Sequence, residues 1–261
     1  MAEYISSPSN PLIKLARSLR QKKARDESGL FLVEGILHVG EAAEAGWTFD
    51  SILYCNERLK SEFGRQLVQK FIKSEVNCQA VSSSAFESFT EKENPQGIAA
   101  IVKQRHRSFH EIASFSLAVA IVAPQDPGNV GTILRTIDAV GADALILLDG
   151  GVDPYHPSAV RASMGTIFGK PFFFGVFPEF VGWIKNKDIR LIGTSAHATE
   201  DYHKIQLDGR PSILLLGSEQ KGLLAEHVDA CDDLISVPMR GRATSLNLAV
   251  AAGIFLYSLK R

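Results

Sequence analysis

Three short segments concentrate the groups able to hold a small molecule or steer a reaction, and each follows directly on an apolar run. The first, PQDPGNVGTILR over residues 124–135, joins a proline- and glycine-rich turn to a helix predicted to begin near Asn129. Free backbone N–H groups collect at such a helix start, and Arg135 falls about a turn and a half inside it. The same letters also read as a cap at Asn129, turn residues at Gly128 and Gly131, and a surface arginine. The second, LGSEQKG over residues 216–222, offers Gly217 for close approach of a ligand to the backbone and Glu219 as an acid at a strand end. GxxxxGK[ST] is absent, so this is no nucleotide phosphate loop, and a plain helix cap stays open. The third, VPMRGRATSLN over residues 237–247, packs two arginines, Gly241, Thr244, Ser245 and Asn247 ahead of a helix. One cap explains one hydroxyl but not that density. Residues 238–244 would curl around a small molecule, with Met239 and Leu246 in apolar contact and backbone groups reading polar edges.

The elements that must position these segments are legible from residue 117 onward. Apolar runs at 117–123, 144–148, 172–177, 190–194, 213–216 and 234–237 lack period-two polarity, as strands covered on both faces do. An α/β fold with a predominantly parallel sheet follows, and ligands of such sheets collect beyond the carboxyl ends of the strands, where all three segments fall. Val130, Ile133, Leu134, Ile137 and Val140 repeat at helical spacing, and residues 245–259 form a second clear helix. Upstream, strands at 30–33, 51–55, 78–81 and 98–102 alternate with helices at 11–25, 36–45, 58–74 and 83–91, the pattern of a small α/β domain. Ser9 or Asn10 caps the first helix ahead of Pro11. The polar, basic stretch around 103–116 reads as a connection, dividing the chain into domains 1–104 and 117–261 with a linker at 105–116.

Composition narrows the function classes. A chain of 261 residues, 45% apolar and 22% charged, excludes wholesale disorder and fills one large or two modest domains. Nothing approaches the roughly 18 to 20 uninterrupted apolar residues of a membrane span, and MAEYISSPSNP is not a secretory leader, so a cytoplasmic protein without membrane contact is expected. Cys55, Cys78 and Cys231 lack CxxC spacing and are expected buried and reduced, and the seven histidines form no HxxxH or HExxH, so no metal site is expected. The net charge of −1 conceals a bias: Lys14, Arg17, Arg20, Lys22, Lys23 and Arg25 stand against one acid, Glu3, in the first 25 residues, a local excess of five. Lys103, Arg105, His106 and Arg107 form a second cluster. On charge alone these are solvated helix faces or linker as readily as a nucleic-acid surface. LLDGG at 147–151 is the one glycine turn a Rossmann-type methyltransferase or dehydrogenase could use, and it lacks GxGxxG.

Taken together, DPGNVGTILR, LLLGSEQKGL and SVPMRGRATSLNLAVAAGIFLY resemble, in order and separation, the three motifs of the SpoU (TrmH-like) family of RNA 2'-O-ribose methyltransferases within the SPOUT superfamily. SNPLIKLARSLRQKKARDESGLFLVEG resembles the start of the ribosomal-protein-like substrate-binding domain that often precedes it. Thr132 and Ala243 depart from the alanine and valine more usual there, at positions that carry no polar role. The resemblance implies a C-terminal trefoil knot cradling S-adenosylmethionine against Thr194, Gly217, Val237, Pro238, Met239, Ser245 and Leu246. It implies catalytic roles for Arg135, Asn129, Glu219, Ser245 and Asn247, with Glu219 and Asn247 holding Arg135 and the motif loops. Arg135, too basic to be a proton acceptor, would orient the ribose or a phosphate and stabilise the developing alkoxide. The implied partners are RNA, ribosomal more than transfer RNA, contacted by Lys14, Arg17, Arg20, Lys22, Lys23 and Arg25, and a second copy in a homodimer with Arg135 acting across the interface. A non-catalytic RNA-binding protein keeping the fold is the alternative.

Overall fold

Asn10 opens the first helix, α1 (Pro11–Ser18), by accepting the Leu12 N–H at 2.9 Å while Pro11 occupies the turn where an amide would be unsatisfied. The computed structural model describes residues 4–74, 76–91 and 94–260; Glu3 lies outside them. The helix expected over 11–25 breaks after Ser18 and resumes as α2 (Lys22–Ser28). Arg25 spans the break: its guanidinium donates to the carbonyls of Leu19 and Arg20 at 2.9 and 2.8 Å and is 1% exposed. Those carbonyls are the acceptors a helix end leaves over, so Arg25 is a structural residue and the expectation that it meets RNA is corrected.

The chain forms two compact units. The first runs to Arg105 and takes in residues 155–169. Its sheet consists of β1 (Leu30–Glu34), β2 (Phe49–Tyr54), β3 (Asn77–Ala80) and β4 (Ile98–Lys103) in the order β1-β4-β2-β3, with β2 and β3 parallel and both pairs of β4 antiparallel. Helices α3 (Ile36–Glu44), α4 (Glu62–Lys73) and α5 (Ser83–Glu87) belong to this unit. Residues 155–169, read from the sequence as part of the catalytic segment, carry α7 (Pro157–Ala162) and α8 (Thr166–Gly169) and pack in the first unit through an aromatic cluster. Phe31 lies 4.6 Å from Tyr155, and the Trp47 indole donates to the Phe168 carbonyl at 2.9 Å. Arg105 is held there too, 4.2 Å from the Trp47 ring centre and donating to Gly46, so part of the second basic cluster is spent on packing.

The second unit comprises residues 106–154 and 170–261. Its described strands are β5 (Leu117–Val122), β6 (Ala144–Leu148), β7 (Phe172–Gly175), β8 (Arg190–Thr194), β9 (Glu200–Asp201), β10 (Ser212–Leu216) and β11 (Asp233–Ser236), in the order β7-β6-β5-β10-β8-β11-β9 with every pairing parallel. Helices α6 (Pro127–Ala139), α9 (Phe177–Asn186), α10 (Ala225–Asp229) and α11 (Leu248–Leu259) complete it. Strands β5, β6 and β10 are buried throughout, which is why their letters show no alternation. Residues 106–116 do not hang free as a linker. Phe109 is fully buried beside Phe180 and Trp183, and the Ser108–Glu111 capping box closes the turn that carries it. The run expected as strand 172–177 stops at Gly175, because the Asp149 carboxylate accepts the Phe177 N–H at 2.8 Å and α9 starts there. All three cysteines are free, but only Cys55 is buried; Cys78 and Cys231 are half-buried. Burial pushes the Cys231 thiol up to about 12.

Candidate active site

The order β5-β10-β8-β11 makes neighbours of the four strands whose carboxyl ends carry the polar segments. Residues remote along the chain are thereby delivered to one edge of one sheet, beyond the strand ends where ligands of parallel sheets bind.

The segment after β5 leaves the strand through Ala123, held at a left-handed φ of 43°, a costly conformation for a residue with a Cβ. The helix begins earlier than its letters suggest. Asp126 is the cap, accepting the Gly128 N–H at 2.7 Å with Pro127 in the first turn, and Asn129 lies inside α6 with its side chain buried. The amide of Asn129 donates to the Glu219 carboxylate at 3.0 Å, and its carbonyl oxygen accepts from the Asn247 amide at 3.0 Å. Asn247 in turn caps α11, accepting the N–H groups of Ala249 and Val250 at 2.9 and 3.3 Å. One asparagine thus ties all three segments together. The final helix accordingly starts at Leu248 and not at 245.

Glu219 anchors the other side. Its carboxylate accepts the backbone N–H groups of Gln125 at 2.9 Å and Asp126 at 3.2 Å in addition to the Asn129 amide. Burial works to raise this carboxyl, but those donors outweigh it and hold it below the ordinary carboxylate range. Gly217 has a different reason from the expected one. A Cβ there would collide with the backbone of Gly222 and Leu223, since the loop folds back through a Ser218–Gly222 bridge. The glycine accommodates the loop's own return first. LLDGG is likewise a packing turn: Gly151, at a φ of 95°, lies against Pro124, and the Val152 N–H bonds the Pro124 carbonyl at 2.9 Å. It braces the first segment and forms no dinucleotide turn.

Between these loops opens a cleft of about 1500 Å³ counting its mouth, lined by Thr194, Gly217, Ser245, Leu246, Glu219 and Asn247 among others. An adjoining lobe of about 490 Å³ shares Thr194, Ser245 and Leu246 and adds Val237, Met239 and Phe255. Of the residues expected to cradle a ligand, Pro238 alone is exposed without lining either part. The sequence reading missed Ser195, Ala196, Lys221 and Phe255, which line these walls; Thr244, at the end of the loop expected to curl around a ligand, lines them too. Ser195 and Ala196 directly follow a strand and Lys221 lies in the second polar segment, whereas Phe255 sits inside α11, where its letters read only as helix core. Apolar side chains with hydroxyls from Thr194, Ser195, Thr244 and Ser245 suit a flat apolar group with polar edges.

Arg135 is exposed, and among the described residues its side chain makes no hydrogen bond or ion pair. Glu219 and Asn247 hold Asn129 instead, correcting the expected support of Arg135. α6 packs on α11, with Gly253 facing Thr136. The outer side of α11 leaves Val250 52% and Tyr257 61% exposed, while Phe255 and Leu256 are buried. In the first unit, Arg17 donates to the Ser88 carbonyl and hydroxyl, Arg20 lies 4.0 Å from Glu91, and Lys22 and Lys23 pair with Asp26 and Glu27 on the surface. Lys14 is exposed, and among the described residues its side chain has no hydrogen bond or ion pair. Among the described residues no metal-binding cluster occurs, and no helix is long and apolar enough to cross a membrane.

Residues 116–257 match the SpoU rRNA methylase family, and residues 10–100 match the MRM3-like substrate binding domain. The chain is 33% identical over 259 residues to the 23S rRNA (guanosine(2553)-2'-O)-methyltransferase RlmP of Bacillus subtilis, covering 99% of each. It is 32% identical to the 23S rRNA (uridine(2479)-2'-O)-methyltransferase of Streptomyces viridochromogenes, covering 93% of this chain and 86% of that one. An AdoMet-bound rRNA methyltransferase from Sinorhizobium meliloti superposes with a TM-score of 0.90 at 33% identity, covering 98% of this chain and 97% of that one.

Proposed function

The chain belongs to the SpoU rRNA methylase family, and from that premise we propose that it transfers a methyl group from S-adenosylmethionine to a ribose 2'-hydroxyl of ribosomal RNA. The observation that carries this is the Glu219–Asn129–Asn247 junction, which closes three separate loops around one cleft. Thr194, Gly217, Ser245 and Leu246, with Val237 and Met239 in the adjoining lobe, are the residues to hold S-adenosylmethionine. When bound, it supplies a sulfonium methyl to a ribose oxygen that must shed its proton.

What the chain contributes is mainly alignment, and correct placement of reacting groups is worth about 7 to 11 kcal/mol. Glu219, Asn129 and Asn247 fix the loops and act as positioning residues. Arg135 remains uncommitted on the surface, and a planar guanidinium there orients a ribose or an adjacent phosphate by two parallel hydrogen bonds and favours the oxyanion. The exposed apolar face of α11, next to α6, supports a homodimer in which Arg135 of one copy serves the cleft of the other. The passage of the chain after β11 back to Asn129 supports the knotted path of the family. Of the N-terminal cations, exposed Lys14, Lys22 and Lys23 support a role for the first unit in holding RNA. Ribosomal RNA as substrate implies work in the cytoplasm.

Calorimetric titration with S-adenosylmethionine, paired with methyl transfer to ribosomal RNA read as 2'-O-methylated nucleotides, tests the reading. Binding with transfer is expected, and absence of binding overturns it. Arg135→Lys keeps the charge but loses the fork, so turnover should fall about tenfold or more with donor affinity intact, a factor of ten being about 1.4 kcal/mol of barrier. Near-normal turnover would refute the orienting role.

A further inference from the structure

The two loops that wall the cleft are unevenly charged. Residues 217–223 and 237–248 carry Lys221, Arg240 and Arg242 and a single acid, Glu219. That acid is already committed, its carboxylate accepting two backbone N–H groups and the Asn129 amide. The three cations are exposed, and none forms a hydrogen bond or ion pair through its side chain among the described residues. By contrast Arg190 and Arg210, in the same unit, are paired with Asp233 and Asp208. Three uncompensated cations in the two loops that wall one cleft give that region a positive potential, which favours a bound polyanion.

Their placement is specific. Lys221 lines the cleft from a loop pinned by the Gly222 N–H to the Ser218 carbonyl at 2.9 Å and the Lys221 N–H to the Ser218 hydroxyl at 3.3 Å. Arg240 and Arg242 sit in the opposite loop, between lining residues Met239 and Thr244 and on either side of exposed Gly241. Met239, Thr244, Ser245 and Leu246 of this stretch line the cleft, while Arg240 and Arg242 are exposed and line neither part of it.

We propose that Lys221, Arg240 and Arg242 form a phosphate clamp at the mouth of the cleft, gripping the RNA backbone on both sides of the nucleotide being methylated. This rests on the reading that the cleft holds the methyl donor. It adds that the RNA is gripped at the catalytic unit itself, by charge and without regard to base. Guanidinium groups suit this because they meet phosphate oxygens in a planar fork, while a lysine acts as a point charge.

The test measures binding of ribosomal RNA to the full chain across a salt series, alongside calorimetry with S-adenosylmethionine. In the triple variant Lys221→Gln, Arg240→Gln, Arg242→Gln, the slope of log affinity against log salt should flatten by about 2 if the gripped RNA is single-stranded and nearly 3 if it is duplex. In the double variant Arg240→Gln, Arg242→Gln, which spares Lys221 on the cleft wall, donor affinity should stay within about twofold of the parent. Arg240→Lys with Arg242→Lys should keep the slope. An unchanged slope in the triple variant overturns the clamp, as does a loss confined to donor binding. A lysine pair that flattens the slope as much as the glutamines would also overturn it, because charge would then not be the cause. Failure of the parent chain to bind the donor would be a different result, sinking the underlying reading of the cleft.

Discussion

Replacing Asn129 by alanine should loosen all three loops at once, and its size can be worked from the two bonds lost. The amide-to-carboxylate bond to Glu219 belongs to a class worth about 1.5 to 3 kcal/mol, and the amide pair with Asn247 to one worth about 0.5 to 1.5 kcal/mol. Glu219 and Asn247 are at exposed positions, where water re-solvates the orphaned groups, so the low end applies, about 2 kcal/mol in all. For a catalytic unit of this size that corresponds to a Tm lower by about 4 to 8 °C. Asn129→Asp should be worse at pH 7, because it sets a second carboxylate against Glu219, and it should approach the alanine variant as pH falls and one of the pair takes a proton. Paired with Glu219→Gln, the alanine variant should give a coupling of at least about 0.5 kcal/mol. Thermal melts and calorimetry with S-adenosylmethionine read both consequences. A Tm change under about 1 °C with unaltered donor affinity, or a strictly additive double variant, would refute the claim that Asn129 is the junction.

The remaining expectations address other parts of the molecule. Arg25→Ala strips the donors from two carbonyls and should cost about 3 kcal/mol in the first unit, while leaving the salt slope of RNA binding unchanged; a flatter slope at unaltered stability would restore it to the RNA surface. Glu219 and Asp143 both carry depressed carboxyls, the latter because burial is outweighed by the N–H groups of Leu117 and Ser116, the Ser116 hydroxyl and Lys260. Depressed folded-state values mean that their stabilisation is complete above the ordinary carboxylate pKa of about 4 and fades as pH falls through the lower folded values. Melts from pH 6 downward should show that loss, and Glu219→Gln with Asp143→Asn should remove part of it; identical pH curves for parent and variant would contradict the assignment. Val250→Glu with Tyr257→Glu should convert a dimer to monomers in sedimentation, and a parent chain that is monomeric at micromolar concentration yet fully active would refute the homodimer.

Much of the second unit was legible in the letters because a parallel strand buried on both faces is apolar at every position, and six such runs stand out without any partner information. The three polar segments were legible too, since polar and glycine residues placed directly after such runs are unusual. Roles that depend on what arrives from elsewhere were not. Arg25 shares its letters' stripe with Lys22 and Lys23, yet a break in the helix turns it onto two carbonyls. Asn129 looks like a cap until Asp126 takes that place three residues earlier. Gly217 suggests room for a ligand, while the loop's own return fills the space behind it.

Residue type and spacing by themselves determined the α/β class, the parallel sheet and which three segments carry the chemistry, because these follow from local burial and turn preferences. Only the tertiary structure decided that β10 lies between β5 and β8, setting Glu219 beneath Gln125 and Asp126 and bringing Asn247 to Asn129. Strand order is a property of pairings between distant segments, and hydrogen bonds between side chains 90 and 118 positions apart leave no trace in any local pattern.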